Sequence, residues 1–259
     1  MKRTKQISKN FDVEILEIIK IILNNETYID YQLLFDLYQK LTSWRVNLCT
    51  KHGLAINSET MPVRIHNVID FLGIPIYPRN DLAKDSSEET IKPHEFIKSK
   101  SILNENILAI IVDDRNLAAT NNLILAQELA NVMIYLAKNS NLFTEQHASP
   151  HITFDCKFNV DKRIILESWI ETKLAEYIAI MLLCPIEGIF KILTSYYNEN
   201  RISSGSGLYG QFLDHLHVRL QINREYIHSI LTFIRDVVNN ENLHKPEGLA
   251  IKKAYPTLF

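Results

Sequence analysis

The sequence predicts an α+β fold: a helix-rich body with a small sheet of about three strands, preceded by a helical hairpin. Three observations carry this. Apolar residues recur at helical spacing through several long segments, as in Val13, Ile15, Leu16, Ile18, Ile19 and Ile22. One short stretch, Ile107 to Val112, is apolar throughout and reads as a buried strand. Only seven glycines occur in 259 residues, and Gly205, Gly207 and Gly210 crowd one loop, so few tight turns are available elsewhere.

Taken in order, Phe11 to Asn24 forms the first amphipathic helix, and Tyr28 to Trp44 the second, with Tyr31, Leu33, Leu34, Leu37 and Leu41 inward. The two pair as a hairpin, and its second helix is aromatic-rich, with Tyr28, Tyr31, Phe35, Tyr38 and Trp44. Packing against the main body and docking of a partner are both open to it. Asn47 to Thr60 is polar, contains Gly53 and reads as a linker. Pro62 opens a short helix, Val63 to Phe71, since proline is tolerated in a first turn; Gly73 ends it. Ile74-Pro75-Ile76-Tyr77 reads as an edge strand, because proline cannot donate to a ladder. Residues 80 to 90 are charged and loop-like, and Glu95 to Ser99 is a second strand candidate. A buried helix follows from Asn121 to Lys138, apolar nearly all round. Residues 139 to 163 read as a polar connection. Leu166 to Leu183 is a long helix stopped by Pro185, and Ile186 to Tyr197 a shorter one. Asn198 to Gly210 is a Ser/Gly loop, followed by helices over Gln211–Leu220 and Arg224–Asn239 and an irregular tail.

Bulk properties narrow the function. A net charge of −2 gives no global pull toward nucleic acid or an anionic membrane. The basic opening, Met1 to Lys5, is not followed by a signal-type apolar run, and no stretch of eighteen apolar residues suggests a membrane span. Cys49, Cys156 and Cys184 are odd in number, scattered and outside any CxxC pair, as expected of reduced thiols in a cytoplasmic protein.

The chemistry-bearing segment is Gln127-Glu128-Leu129-Ala130-Asn131. Residues four apart share a helix face, so Gln127 and Asn131 point the same way with Glu128 beside them. In an HExxH zinc helix those two positions are histidines that hold the metal, and the glutamate is the general base. A neutral amide is a weak zinc ligand beside imidazole, thiolate or carboxylate. Without the metal no bound water is acidified, and a lone general base supplies only about 10²–10⁴-fold. From spacing alone, three polar groups on a buried helix equally read as an internal hydrogen-bond network.

The surrounding order of motifs adds to this. Leu72-Gly73-Ile74-Pro75-Ile76, then Ile107 to Asp114, then Ala126 to Asn131, then Glu171-Thr172-Lys173-Leu174-Ala175-Glu176-Tyr177-Ile178-Ala179 and Leu182-Leu183-Cys184-Pro185 resemble the ImmA/IrrE family of zinc-dependent regulatory endopeptidases over about residues 58 to 235. Ala126, Glu128, Ala175, Ala179, Leu182, Leu183 and Pro185 fit its pattern. The resemblance implies a zincin-like domain over 58–200, with 1–55 as the added hairpin, 201–240 as a helix-turn-helix-like segment and 241–259 as a tail. It also locates the departures. Both histidine positions are amides, and the third ligand, a glutamate in the family, falls at Thr172. Glu171 sits one residue early, turned about 100° away, and Glu176 lies one turn later on the face of Thr172. The implied site is a polar pocket without metal, lined by Gln127, Glu128, Asn131 and Thr172, Glu171 or Glu176.

Other candidates are weaker. His215 and His217 lie about 200° apart on a helix and cannot share a metal there. His147 and His151, with Asp155, flank Pro150, which disfavours a helix between them. The Ser203-to-Gly207 loop lacks the Lys-Ser/Thr ending of a phosphate loop. In residues 211–237, Leu220-Gln221-Ile222-Asn223 falls where the resemblance implies the turn of a helix-turn-helix-like segment, but Asp214, Glu225 and Asp236 offset Arg219, Arg224 and Arg235. Packing or a protein contact is therefore favoured there over DNA binding.

Two functions follow. One is a non-catalytic pseudo-metallopeptidase that binds a protein, by family analogy a transcriptional regulator or toxin, without cofactor. The other is an active metal-dependent endopeptidase with a rebuilt zinc site and Glu128 as base.

Overall fold

The computed structural model describes residues 11–25, 28–60, 63–78, 99–104, 107–112, 122–143, 151–154, 162–163, 166–185, 187–189, 191–192, 195, 207–220, 224, 227–228 and 231–233. The expected loops over 80–90 and 198–206, Glu95 to Lys98, His147, Asp155, the Gln221-Ile222-Asn223 turn and the tail lie outside them.

The chain begins with α1 (Val13–Asn24) and α2 (Tyr31–Lys51). Each starts on an aspartate that meets an otherwise unpaired N–H: Asp12 accepts from Glu14 N at 2.9 Å and Asp30 from Gln32 N at 2.8 Å. The stripe expected on α1 is the one buried, with Ile15, Leu16, Ile19 and Ile22 inside. α2 runs seven residues beyond Trp44 because Arg45, Leu48 and Cys49 continue its buried face. It ends at Gly53 (φ +81°), where Leu54 N donates to Cys49 O and Gly53 N to Thr50 O. α3 (Ile65–Phe71) closes in the same way at Gly73 (φ +71°), where Ile74 N donates to Ile69 O and Gly73 N to Asp70 O. Both are left-handed caps that glycine enters without a Cβ clash. The start of α3 is capped from a distance: Asn122 Oδ1 accepts from Ile65 N at 3.1 Å.

One sheet holds four strands in the order β1 (Ile76–Pro78), β3 (Ile107–Val112), β2 (Ser99–Asn104) and β6 (Lys162–Arg163). β1 is at an edge, where Pro78 is tolerated, and runs parallel to β3; β2 pairs antiparallel with both β3 and β6. The sheet thus gains a fourth strand over the expected three. Within the supposed polar connection, β4 (Ser140–Phe143) and β5 (His151–Phe154) form a separate antiparallel pair.

α4 (Asn122–Asn139) is the central helix, and α5 (Trp169–Leu183) packs most extensively against it, with α1, α3 and β2 on its other sides. That enclosure explains why Leu125, Ala126, Leu129, Ala130, Val132, Met133, Ile134, Leu136 and Ala137 are all buried. Each large side chain so buried contributes roughly 1.5–3 kcal/mol. Helical residues at 187–189, 191–192 and 195 follow Pro185, then α6 (Gly207–Leu220), which starts inside the expected Ser/Gly loop, and helical residues at 224, 227–228 and 231–233. A single apolar core joins Phe11 to Phe233. The N-terminal hairpin belongs to it: Phe11 stacks near Trp44, and Phe233 lies against Tyr38 of α2 and Tyr177 of α5. Among the described residues, no helix is long and apolar enough to cross a membrane.

Candidate functional site

α4 carries Gln127, Glu128 and Asn131 on its first three turns. Glu128 is 6% exposed, while Gln127 and Asn131 are half-buried. The enclosing elements hold the carboxylate away from bulk water, and the two amides flank it on the same helix.

On α5, Glu171 is engaged at the other end of α4. Lys138, at the last turn of α4, donates to Glu171 Oε1 at 2.7 Å, so the C-terminal end of α4 meets the first turn of α5. The two helices therefore run antiparallel at this contact. Glu128 is ten residues before Lys138 on α4, about 15 Å along the axis, and Asn131 is about 10 Å before it. Zinc ligands converge to within about 2.0–2.3 Å of one point. With Glu171 engaged at Lys138, its carboxylate is not a third ligand to a metal beside Glu128 and Asn131.

Glu171 has a local occupation. Ser168, the N-cap of α5, accepts from Glu171 N at 3.2 Å, and Glu171 Oε2 reaches back to accept from Glu167 N at 2.7 Å. This is a capping-box arrangement shifted by one residue. Lys138 also pairs with Glu167 at 3.1 Å. Burial works against the charge on Lys138; hydrogen bonds to Glu171 and Glu167 outweigh it and raise its pKa. Thr172 is exposed and its hydroxyl donates to Ser168 O at 3.1 Å. Glu176 pairs with Lys173 at 2.7 Å on the surface. Of the six residues expected to line one pocket, α4 brings together Gln127, Glu128 and Asn131, and the α5 three serve the start and outer face of their own helix.

His215 and His217 lie two apart on α6, half-buried and exposed respectively. On that helix they diverge, as the spacing implies. Arg224 pairs with Asp214 at 3.3 Å, which spends part of the positive charge of the 211–237 segment internally. No group of three or more His, Cys, Asp or Glu side chains able to hold a metal occurs among the described residues.

Sequence reasoning missed Arg45. It is 1% exposed, on the same face of α2 as Tyr38 and Cys49. Its Nη2 lies a long 3.4 Å from Asn57 O, while Nε and Nη1 are buried without a hydrogen-bond partner among the described residues. Burial pulls its pKa below the usual value, with Cys49, Tyr38 and Glu187 opposing. Next to it, the Tyr38 hydroxyl donates to Cys184 O. Burial raises the Tyr38 pKa well above its usual value and pushes the Cys184 thiol up to about 12. The signal was in the sequence: a cation occupies an apolar stripe running Leu34, Leu37, Leu41, Leu48.

Comparison with known proteins finds no matching family model, no matching curated protein and no matching solved structure.

Proposed function

We propose that this chain is a pseudo-metallopeptidase of the ImmA/IrrE type, a metal-free scaffold that acts by binding another protein in regulatory control. The observation that carries the reading is the placement of Gln127 and Asn131 beside the buried Glu128 on α4. These amides occupy the two positions where imidazoles would grip zinc, and they are poor substitutes for them. The occupation of Glu171 by Lys138 and the α5 cap supports the same reading, because it commits the nearest candidate third ligand to structure. A buried carboxylate without an activated water is a weak hydrolytic device. The scaffold then serves as a shape. Its partner class, by family analogy, is a cytoplasmic transcriptional regulator or toxin; the internal Arg224–Asp214 pair favours a protein contact over DNA for the C-terminal segment.

Metal analysis of the purified chain tests the first half of the proposal. The expected result is zinc far below one per chain, unchanged in Gln127→Ala. Stoichiometric zinc that is lost in Gln127→Ala, together with peptide turnover lost in Glu128→Gln, overturns it in favour of the active endopeptidase. Affinity capture from the native cell tests the second half: the same protein should be retained by wild type and by Glu128→Gln.

A further inference from the structure

We draw no further inference here: the strongest candidate, the buried side-chain cluster of Arg45, Tyr38 and Cys184, carries nothing because Arg45 is not among the residues lining the cavity beside Asn57 and nothing in the structure shows what would meet its Nε and Nη1.

Discussion

Glu171 and Arg45 are both buried, both charged, and sit on helices that pack against one another, α5 and α2. Their surroundings differ in kind. Each Glu171 oxygen has a donor at 2.7 Å, and the donors come from the two places a helix start can draw on, its own backbone and a neighbouring helix end. Among the described residues, Arg45 has one long contact, and its Nε and Nη1 have no hydrogen-bond partner. The lesson is that burial of a charge does not by itself mark function. A carboxylate with a close donor on each oxygen is explained by the fold, whereas Arg45 is a cation that the fold leaves short.

The contrast can be broken in order of expected effect. Removing Glu171 leaves Glu167 N without its acceptor and Lys138 with only the exposed Glu167 carboxylate, so Glu171→Ala should lower stability by about 2 kcal/mol, less than a fully buried pair because Lys138 is one-third exposed. Arg45→Met, measured the same way by urea unfolding, should range from neutral to about 2 kcal/mol more stable, because an apolar isostere relieves an unpaired charge. Any clear loss of stability in Arg45→Met, or none in Glu171→Ala, would erase the distinction.

Neighbouring Tyr38 and Cys184 sharpen it through pH. Their native pKa values are raised, so the native state keeps protons that the unfolded chain gives up. Their contribution is complete below the unfolded values and is lost as pH rises toward the native ones. For Cys184 that window opens at the ordinary thiol value of 9.0 and extends to about 12. Stability should therefore fall by about 1 kcal/mol between pH 8 and 10, and Cys184→Ala should flatten that slope. The smallest effect belongs to the α5 face once expected in the pocket: Glu176→Ala touches only a surface pair with Lys173 and should change stability by less than about 0.5 kcal/mol.

Strong local signals made much of the fold legible. β3 matches the apolar run residue for residue, α4 is shifted by one, and Gly73 ends α3 as its lack of a Cβ allows. The β4–β5 pair and β6 escaped because they are two to four residues long: the alternation of Ile152 and Phe154 spans a single repeat, and Lys162–Arg163 carries none. The extension of α2 into the first five residues of the expected linker, Asn47 to Lys51, escaped because Arg45 interrupts the apolar stripe that Leu48 and Cys49 continue. In the site, the i, i+4 rule placed Gln127 and Asn131 on one face, since that depends only on helix geometry. The α5 residues were not legible in the same way. Their position relative to Glu128 depends on how two extensively packed helices slide past each other, a register marked by the Lys138–Glu171 contact across 33 positions of chain.

The Asn122 amide that caps Ile65 has a consequence for how the molecule assembles. α3 has seven residues, too few to persist alone in water, where the first turn is unfavourable to form. Its leading N–H is met only once the beginning of α4 has arrived from 57 positions downstream. The cap thus ties the start of α3 to the start of α4, so that the short helix draws its stability from the longer one.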